Sequence, residues 1–262
     1  MKSIAGFGKI IALSILLCYT AVAQATRPLK HYYHIKIYHF KTKAQEDRLD
    51  KYLKDAYVPA IKRITGGGLL GVFKTMDTDT DRRIYVFTIY AKMQLIEKEE
   101  ADLLKDKQYL ADAKEYIDAA YNDAPYTRFE TITLLAFDQM RVAAVPELST
   151  AKKNRVYELR SYESPTEKYN LNKVKMFNEG GEVALFARLN FNAVFYAEVI
   201  SGSHMPNLMY MTTFNSKEDR DKHWDAFFGS PEWKVLIADP QYAHNVSKAD
   251  ILFLHPTEYS DF

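Results

Sequence analysis

An α+β fold built from two tandem βαββαβ units is what this sequence predicts, and three observations predict it. The first is a repeat at a fixed offset of 124 residues: Tyr33, Ile35, Lys36 and Tyr38 recur as Tyr157, Leu159, Arg160 and Tyr162. The second is that the offset holds through elements of different type. Lys51 and Leu53 recur as Lys175 and Phe177, Ile84, Thr88 and Tyr90 as Leu208, Thr212 and Phe214, and Tyr109 as Trp233. Chance matches would drift in register, and so long a period is a whole domain rather than a solenoid turn. The third is the succession of patterns inside each copy, which reads strand, helix, strand, strand, helix, strand.

In the first copy Tyr32–Phe40 is aromatic and alternating, hence a strand. Leu49, Leu53, Ala56, Tyr57, Ala60 and Ile64 follow helical spacing, with Pro59 expected to kink that helix or end its regular part. Gly66-Gly67-Gly68 stops it, and Leu69–Met76 begins the next strand. Asp77, Asp79 and Asp81 with Thr78 and Thr80 form a polar hairpin turn before a strand at Ile84–Tyr90. One long charged helix is expected from about Gln94 to Tyr121, then a last strand at Phe129–Phe137. The second copy gives a strand at Arg155–Glu163, a helix near Lys168–Arg188, and strands at Phe191–Ile200 and Leu208–Phe214. Ser216 caps the next helix, with Glu218 and Asp219 in its first turn where the dipole favours anions. Gly229-Ser230-Pro231 breaks that helix, and Ala249–Leu254 is the final strand.

The βαββαβ order is the ferredoxin-like layout, an antiparallel sheet with both helices on one face. Each unit leaves its other sheet face bare. Two units in one chain can bury those faces against each other as an intrachain α-β barrel, with a pocket expected between the sheets. The corresponding boundaries are 31–140 and 155–262 for the two units, with a linker at 141–154 that contains Pro146.

Residues 1–23 read as a secretory signal: Lys2 and Lys9 precede the apolar run Ile10–Leu17, and Ala21-Val22-Ala23 supplies a cleavage site. An exported location, periplasmic or extracellular, follows as an expectation. Cys18 offers a lipoprotein alternative, but bulky Leu17 stands where a small residue is wanted. Removal of the leader takes two lysines from the 35 basic residues, leaving 33 against 34 acidic ones. It also removes the only cysteine, so disulfides and cysteine nucleophiles are excluded from the mature chain. A balance of −1 argues against nucleic acid as a partner, and no other apolar run is long enough to span a membrane.

Several segments resemble the NIPSNAP family of the dimeric α-β barrel group. Tyr157-Glu158-Leu159-Arg160-Ser161-Tyr162 is similar to that family's Y-E-L-R-x-Y strand. Ser216-Lys217-Glu218-Asp219-Arg220 and Ser230-Pro231-Glu232-Trp233 resemble its S-x-E-x-R helix start and P-E-W ending. In the first copy Pro59-Ala60-Ile61-Lys62-Arg63 followed by Gly66–Phe73 resembles its P-a-l-k-r-x-G turn. The first copy departs from the pattern at His34-Ile35-Lys36 and at Tyr109, so a carried-over site is more credible in the second. The resemblance implies the fold and the tandem arrangement more than a reaction. The family has no settled enzymatic activity, and its mitochondrial members are discussed as interaction proteins. Related barrels include monooxygenases and haem-handling enzymes, an analogy of fold alone.

Alternate residues of a strand share a face. Glu158, Arg160 and Tyr162 therefore point one way, matched by His34, Lys36 and Tyr38 in the first copy, with Lys74, Glu198 and neighbouring Tyr196 on the second strands. If this face lined the inter-sheet space, Arg160 or Lys36 could receive an anionic or carbonyl group and Glu198 or Glu158 a proton. The plainer reading is a set of structural ion pairs. The ligand-binding candidates are accordingly Glu158, Arg160, Tyr162, Tyr196, Glu198, Lys36 and Tyr38.

Gly66-Gly67-Gly68-Leu69-Leu70-Gly71 matches G-x-G-x-x-G, but a helix precedes it and a strand follows, the reverse of a dinucleotide site. Scattered histidines, with no H-E-x-x-H or E-x-x-H, predict no metal site and no dedicated cofactor. A lone axial haem ligand has no spacing signature; His204, on a turn at the pocket edge, is the weak choice, though such a residue is more often simply solvated. No G-x-S-x-G elbow occurs. The 19 tyrosines suit an aromatic-lined pocket or a homo-oligomer interface, and Asn245-Val246-Ser247 is a formal glycosylation sequon. The favoured function is that of an exported protein binding a small molecule or a protein partner through the inter-sheet cavity. The alternative is a cofactor-light oxygenase or isomerase using Arg160, Glu198 and Tyr162.

Overall fold

The computed structural model describes residues 27–76 and 82–262. The segment 1–23 read as a secretory signal, with Cys18, and the acidic turn expected at Asp77, Asp79 and Asp81 lie outside these residues.

Eight strands close into one barrel in the order β1-β3-β2-β8-β5-β7-β6-β4. The first half supplies β1 (Tyr32–Phe40), β2 (Leu70–Thr75), β3 (Arg82–Tyr90) and β4 (Arg128–Ala136). The second supplies β5 (Val156–Glu163), β6 (Phe195–Ser201), β7 (Asn207–Phe214) and β8 (Lys248–Pro256). Each half has the strand order expected of its βαββαβ unit, and the two join at seams where β2 pairs with β8 and β4 with β6, all antiparallel. The register carries the repeat: Tyr33 faces Ile89 where Tyr157 faces Thr213, and Lys74 faces Ile84 where Glu198 faces Leu208. Only the last strands slip. Tyr33 faces Leu134 but Tyr157 faces Leu254, so the offset there is 120.

Helices cover the outer face only. In the first half α1 (Lys43–Tyr52) runs through a π-helical turn (Leu53–Tyr57) into α2 (Val58–Thr65). Pro59 lies in the first turn of α2, where a missing N–H is least costly, and the widened turn before it takes up the irregularity. Gly66 ends α2 with left-handed backbone, φ 71°, and the Gly67 N–H donates to the Lys62 carbonyl at 2.7 Å. That is a helix stop, as the order of elements implies.

The long helix expected at 94–121 is instead three: α3 (Met93–Leu103), α4 (Lys107–Asp112) and α5 (Lys114–Ile117). Asp106 causes the break. Its carboxylate accepts from the N–H groups of Gln108 and Tyr109, which starts a new helix, and Arg63 anchors it from α2. The helix expected near 168–188 is likewise divided at Gly180-Gly181 into α6 (Glu167–Asn178) and α7 (Glu182–Arg188). Ser216 caps α8 (Lys217–Gly229) through the Asp219 N–H, and Ser230 caps α9 (Pro231–Ala238) through the Trp233 N–H.

Three apolar layers result. Helices α1–α5 pack on Tyr38, Leu70, Val72, Ile84 and Val86, and α6–α9 pack on Tyr196, Leu208 and Tyr210. The third layer fills the barrel, with Tyr33, Phe73, Phe87, Tyr157, Phe195 and Phe262 among its members. Each such ring contributes about 1.5–3 kcal/mol by leaving water. The repeat alternates volume here. Gly71 and Phe73 of β2 occupy the positions that Phe195 and Ala197 hold in β6. A side chain at Gly71 would place Cβ 2.4 Å from the Phe73 ring and 3.1 Å from Phe262.

Candidate functional site

The barrel is packed at one end and open at the other. At the packed end Phe87 stacks on Phe195 at 5.0 Å, Phe73 meets Tyr157 at 5.0 Å, and Phe262 lies between Phe73 and Phe87 at 6.0 and 5.8 Å. At the other end, formed by the C-terminal ends of β1 and β5 and the N-terminal ends of β3, β4, β7 and β8, a cavity of about 440 Å³ opens to solvent.

Its walls follow from strand alternation. Ile37 continues the inward row of Tyr33 and Ile35 on β1, and Leu159 and Ser161 continue that of Tyr157 on β5. Tyr85, Ile132, Met209 and Leu252 complete the apolar part of the lining. Two polar groups interrupt it. The Asn207 amide Nδ2 donates to Ser161 Oγ at 2.9 Å, while the Asn207 Oδ1, on a side chain 3% exposed, accepts from no donor in the protein. A buried amide oxygen left without a donor costs about 1–3 kcal/mol, so this position favours an added donor.

The rim is charged and internally paired. His39 Nε2 lies 2.7 Å from Glu130, His204 Nδ1 3.2 Å from Glu163, and Lys248 pairs with both Glu163 (3.3 Å) and Asp250 (2.8 Å). Arg83 Nη1 donates to the Tyr85 hydroxyl at 3.0 Å. His204 lines the cavity, as its turn position suggests. Among the described residues no group of three or more His, Cys, Asp or Glu could hold a metal ion.

The residues singled out from sequence do not line this cavity. Glu158, Arg160, Tyr162, Tyr196, Glu198, Lys36 and Tyr38 do share faces as alternation requires, but the face is the outer one, beneath the helices. The inward face takes the apolar set because the barrel interior has no partners for charge, whereas the helices carry them. Glu158, fully buried, accepts from Arg160 Nε (2.6 Å), Arg220 Nε and Nη2 (2.8 and 2.9 Å) and Trp224 Nε1 (2.8 Å). Burial would raise its pKa; the Arg220 hydrogen bonds, the Arg160 charge and the Trp224 N–H outweigh that and hold it below the usual carboxylate range. Arg160 lies over the Trp224 ring at 3.6 Å and donates to the Tyr162 hydroxyl, which meets that of Tyr210 at 2.9 Å.

In the first half Lys36 bonds Glu99 of α3 and sits over the Tyr57 ring at 4.8 Å. Glu99 also accepts from the Tyr57 hydroxyl at 2.7 Å and from Tyr90, with His34 at 3.6 Å. Burial opposes its ionisation, but His34, Lys36 and Tyr90 depress its pKa far below normal. Tyr38 packs edge-on to Tyr126 at 5.7 Å. Tyr196 stacks on Tyr210 at 5.6 Å, and Lys74 pairs with Glu46 at 2.7 Å. Glu198 accepts from Asn170 of α6 at 3.1 Å, and burial raises its pKa. Asn245 of the sequon is buried, its Oδ1 accepting from Asn172, so the folded chain does not present it.

Ser161 and Asn207 were hidden by ordinary company. Ser161 shares the inward row of Tyr157 and Leu159, and only knowledge of which row faces inward distinguishes it.

Comparison with known proteins agrees with the architecture. Residues 157–261 match the NIPSNAP family. No curated protein matches the chain. A candidate monooxygenase of Lactobacillus acidophilus is 13% identical over 87% of this chain and 94% of its own, with a TM-score of 0.54. A candidate monooxygenase of Fusobacterium nucleatum is 9% identical over 87% and 93%, with a TM-score of 0.53. A NIPSNAP family protein of Agrobacterium tumefaciens is 20% identical over 42% of this chain and 99% of its own, with a TM-score of 0.37. At these identities the likeness of the first two is one of fold.

Proposed function

We propose that this chain, whose second half is a NIPSNAP domain closed with the first into a barrel of the dimeric α-β barrel group, binds a small molecule in the barrel mouth. The observation that carries the reading is the cavity itself: about 440 Å³, with apolar side chains along its inner strands, charged ones at its rim, and a Ser161–Asn207 pair whose amide oxygen is unsatisfied. Ligand sites are commonly concavities of about 300–1,000 Å³ in which apolar walls are combined with placed polar groups. Export belongs to the same proposal, on the strength of Lys2, Lys9, the run Ile10–Leu17 and Ala21-Val22-Ala23.

The oxygenase or isomerase alternative would have to work from the cavity. Arg160 and Tyr162 are engaged with Glu158 and Tyr210 and Glu198 with Asn170, and none of the three lines the cavity. The test is incubation with a metabolite mixture, gel filtration and mass spectrometry of what the protein retains. Wild type should retain a compound that Leu159→Trp, which fills the cavity, releases. Equal retention by both proteins would place the ligand elsewhere and end the reading.

A further inference from the structure

We infer that the barrel-mouth cavity selects a neutral, mainly apolar molecule bearing a hydroxyl group, which docks on Ser161 and Asn207. The inference rests on the reading of that cavity as a ligand site and adds the chemical class.

Charge comes first. Every histidine and lysine at the rim already has a carboxylate: His39 has Glu130, His204 has Glu163, and Lys248 has Glu163 and Asp250. Arg83 is engaged with the Tyr85 hydroxyl. An anionic ligand would have to displace one of these carboxylates or lie unpaired beside them. A cationic ligand meets the same obstacle from Lys248 and Arg83. Charges drawn from water without a partner are strongly disfavoured, so the self-paired rim discriminates against both signs. The walls of Ile37, Ile132, Leu159, Met209 and Leu252 then favour an apolar body.

The polar pair specifies the remaining group. Ser161 Oγ accepts from the Asn207 amide, which orients the serine and leaves its own O–H available to donate into the cavity. The Asn207 Oδ1, on the neighbouring lining residue, is an acceptor without a donor. A ligand hydroxyl can accept from Ser161 and, with a small shift of the amide, donate to Asn207. An ether or a ketone can only accept, and leaves the amide oxygen unpaired. Sites built to bond a hydroxyl discriminate against analogues lacking it because their own polar groups are then stranded. The pair exists on one wall only: in the first half Ile37 and Arg83 stand at the positions of Ser161 and Asn207.

The test is calorimetric titration of the full chain with three probes of one shape: para-butylphenol, para-butylanisole and para-butylbenzoate. The phenol should bind at least tenfold more tightly than either of the others, the loss expected for about 1.4 kcal/mol of hydrogen bonding. Asn207→Leu, which removes the acceptor that only the phenol can use, should bring the phenol down to the level of the anisole. Ser161→Ala, the smaller change, which removes the donor that both can use, should weaken phenol and anisole together. Equal binding of phenol and anisole, or tightest binding of the benzoate, overturns the inference. So does Asn207→Leu that folds and keeps the preference, or Ser161→Ala that binds phenol and anisole as tightly as wild type does. Leu159→Trp separates this failure from that of the broader reading. Three probes bound equally by wild type and none by Leu159→Trp refute only the ligand class. Probes that bind neither protein, or both alike, refute the cavity as a site and the inference with it.

Discussion

Both halves of the barrel bury a carboxylate between sheet and helices, yet they draw it from opposite layers. In the second half the acid that meets the cation of strand β5, Arg160, is Glu158 of the same strand, and α8 answers with Arg220 and Trp224. Glu182 of α7 is a further buried acid, held by Lys173 of α6. In the first half the strand contributes Lys36, and the acid is Glu99 of helix α3. His34 occupies the position equivalent to Glu158 and lies beside Glu99 instead. Duplication preserved the place where charge is buried, not the element that carries it. What must be conserved in such an interface is neutrality, since an uncompensated charge costs far more than the pair contributes.

The comparison can be broken most directly at Glu158. Glu158→Ala strands two guanidinium groups and should destabilise the protein by about 3–5 kcal/mol in urea denaturation. A loss under about 1 kcal/mol would mean the cluster holds nothing together. Glu99→Ala should cost less, about 2–3 kcal/mol, because the Lys36 side chain is 18% exposed and can turn toward water. If the ranking reverses, the second half is not the tighter of the two.

The volume swap is probed by Gly71→Ala, expected to cost about 1–3 kcal/mol because the new Cβ meets the Phe73 ring. An unchanged denaturation midpoint would show that Phe73 and Phe262 rearrange freely.

Acid sharpens the comparison further. Both buried carboxylates have folded pKa values depressed relative to the unfolded chain, so their stabilisation is complete above the unfolded pKa of about 4.3 and lost as pH falls through the folded values. Denaturation midpoints should fall steadily below about pH 4.5, and less so in Glu158→Gln. Glu198 has the opposite sign. Its raised pKa means that ionisation opposes folding, so Glu198→Gln should raise the melting temperature at pH 7 by roughly 1–2 °C. That gain should vanish below about pH 4, where both states are protonated. A gain that persists in acid would have another origin.

Much of this was legible in the chain. The alternation of Tyr157 and Leu159 against Glu158 and Arg160 correctly divides β5 into two faces, and the 124-residue offset correctly aligns three strands of each half. Which face turns inward was not legible. It depends on whether the charges find partners under the helices, and the partners of Glu158 lie 62 and 66 residues further along. Local pattern contains no such information. The same holds for the break at Asp106, whose anchor Arg63 is 43 residues away. Ser161 and Asn207 meet only through β5–β7 pairing, 46 residues apart, and Ser161 stands at the unspecified position of the Y-E-L-R-x-Y strand while Asn207 belongs to no motif.

The seams β2–β8 and β4–β6 lie within a single polypeptide, and this has an evolutionary consequence. A barrel assembled from two identical chains must accept each substitution twice, once on either side of its axis. One continuous chain escapes that constraint: codon 161 can specify serine while codon 37 keeps isoleucine. Fusion thus frees one wall to specialise while its counterpart continues to serve as scaffold, and dilution cannot separate the two.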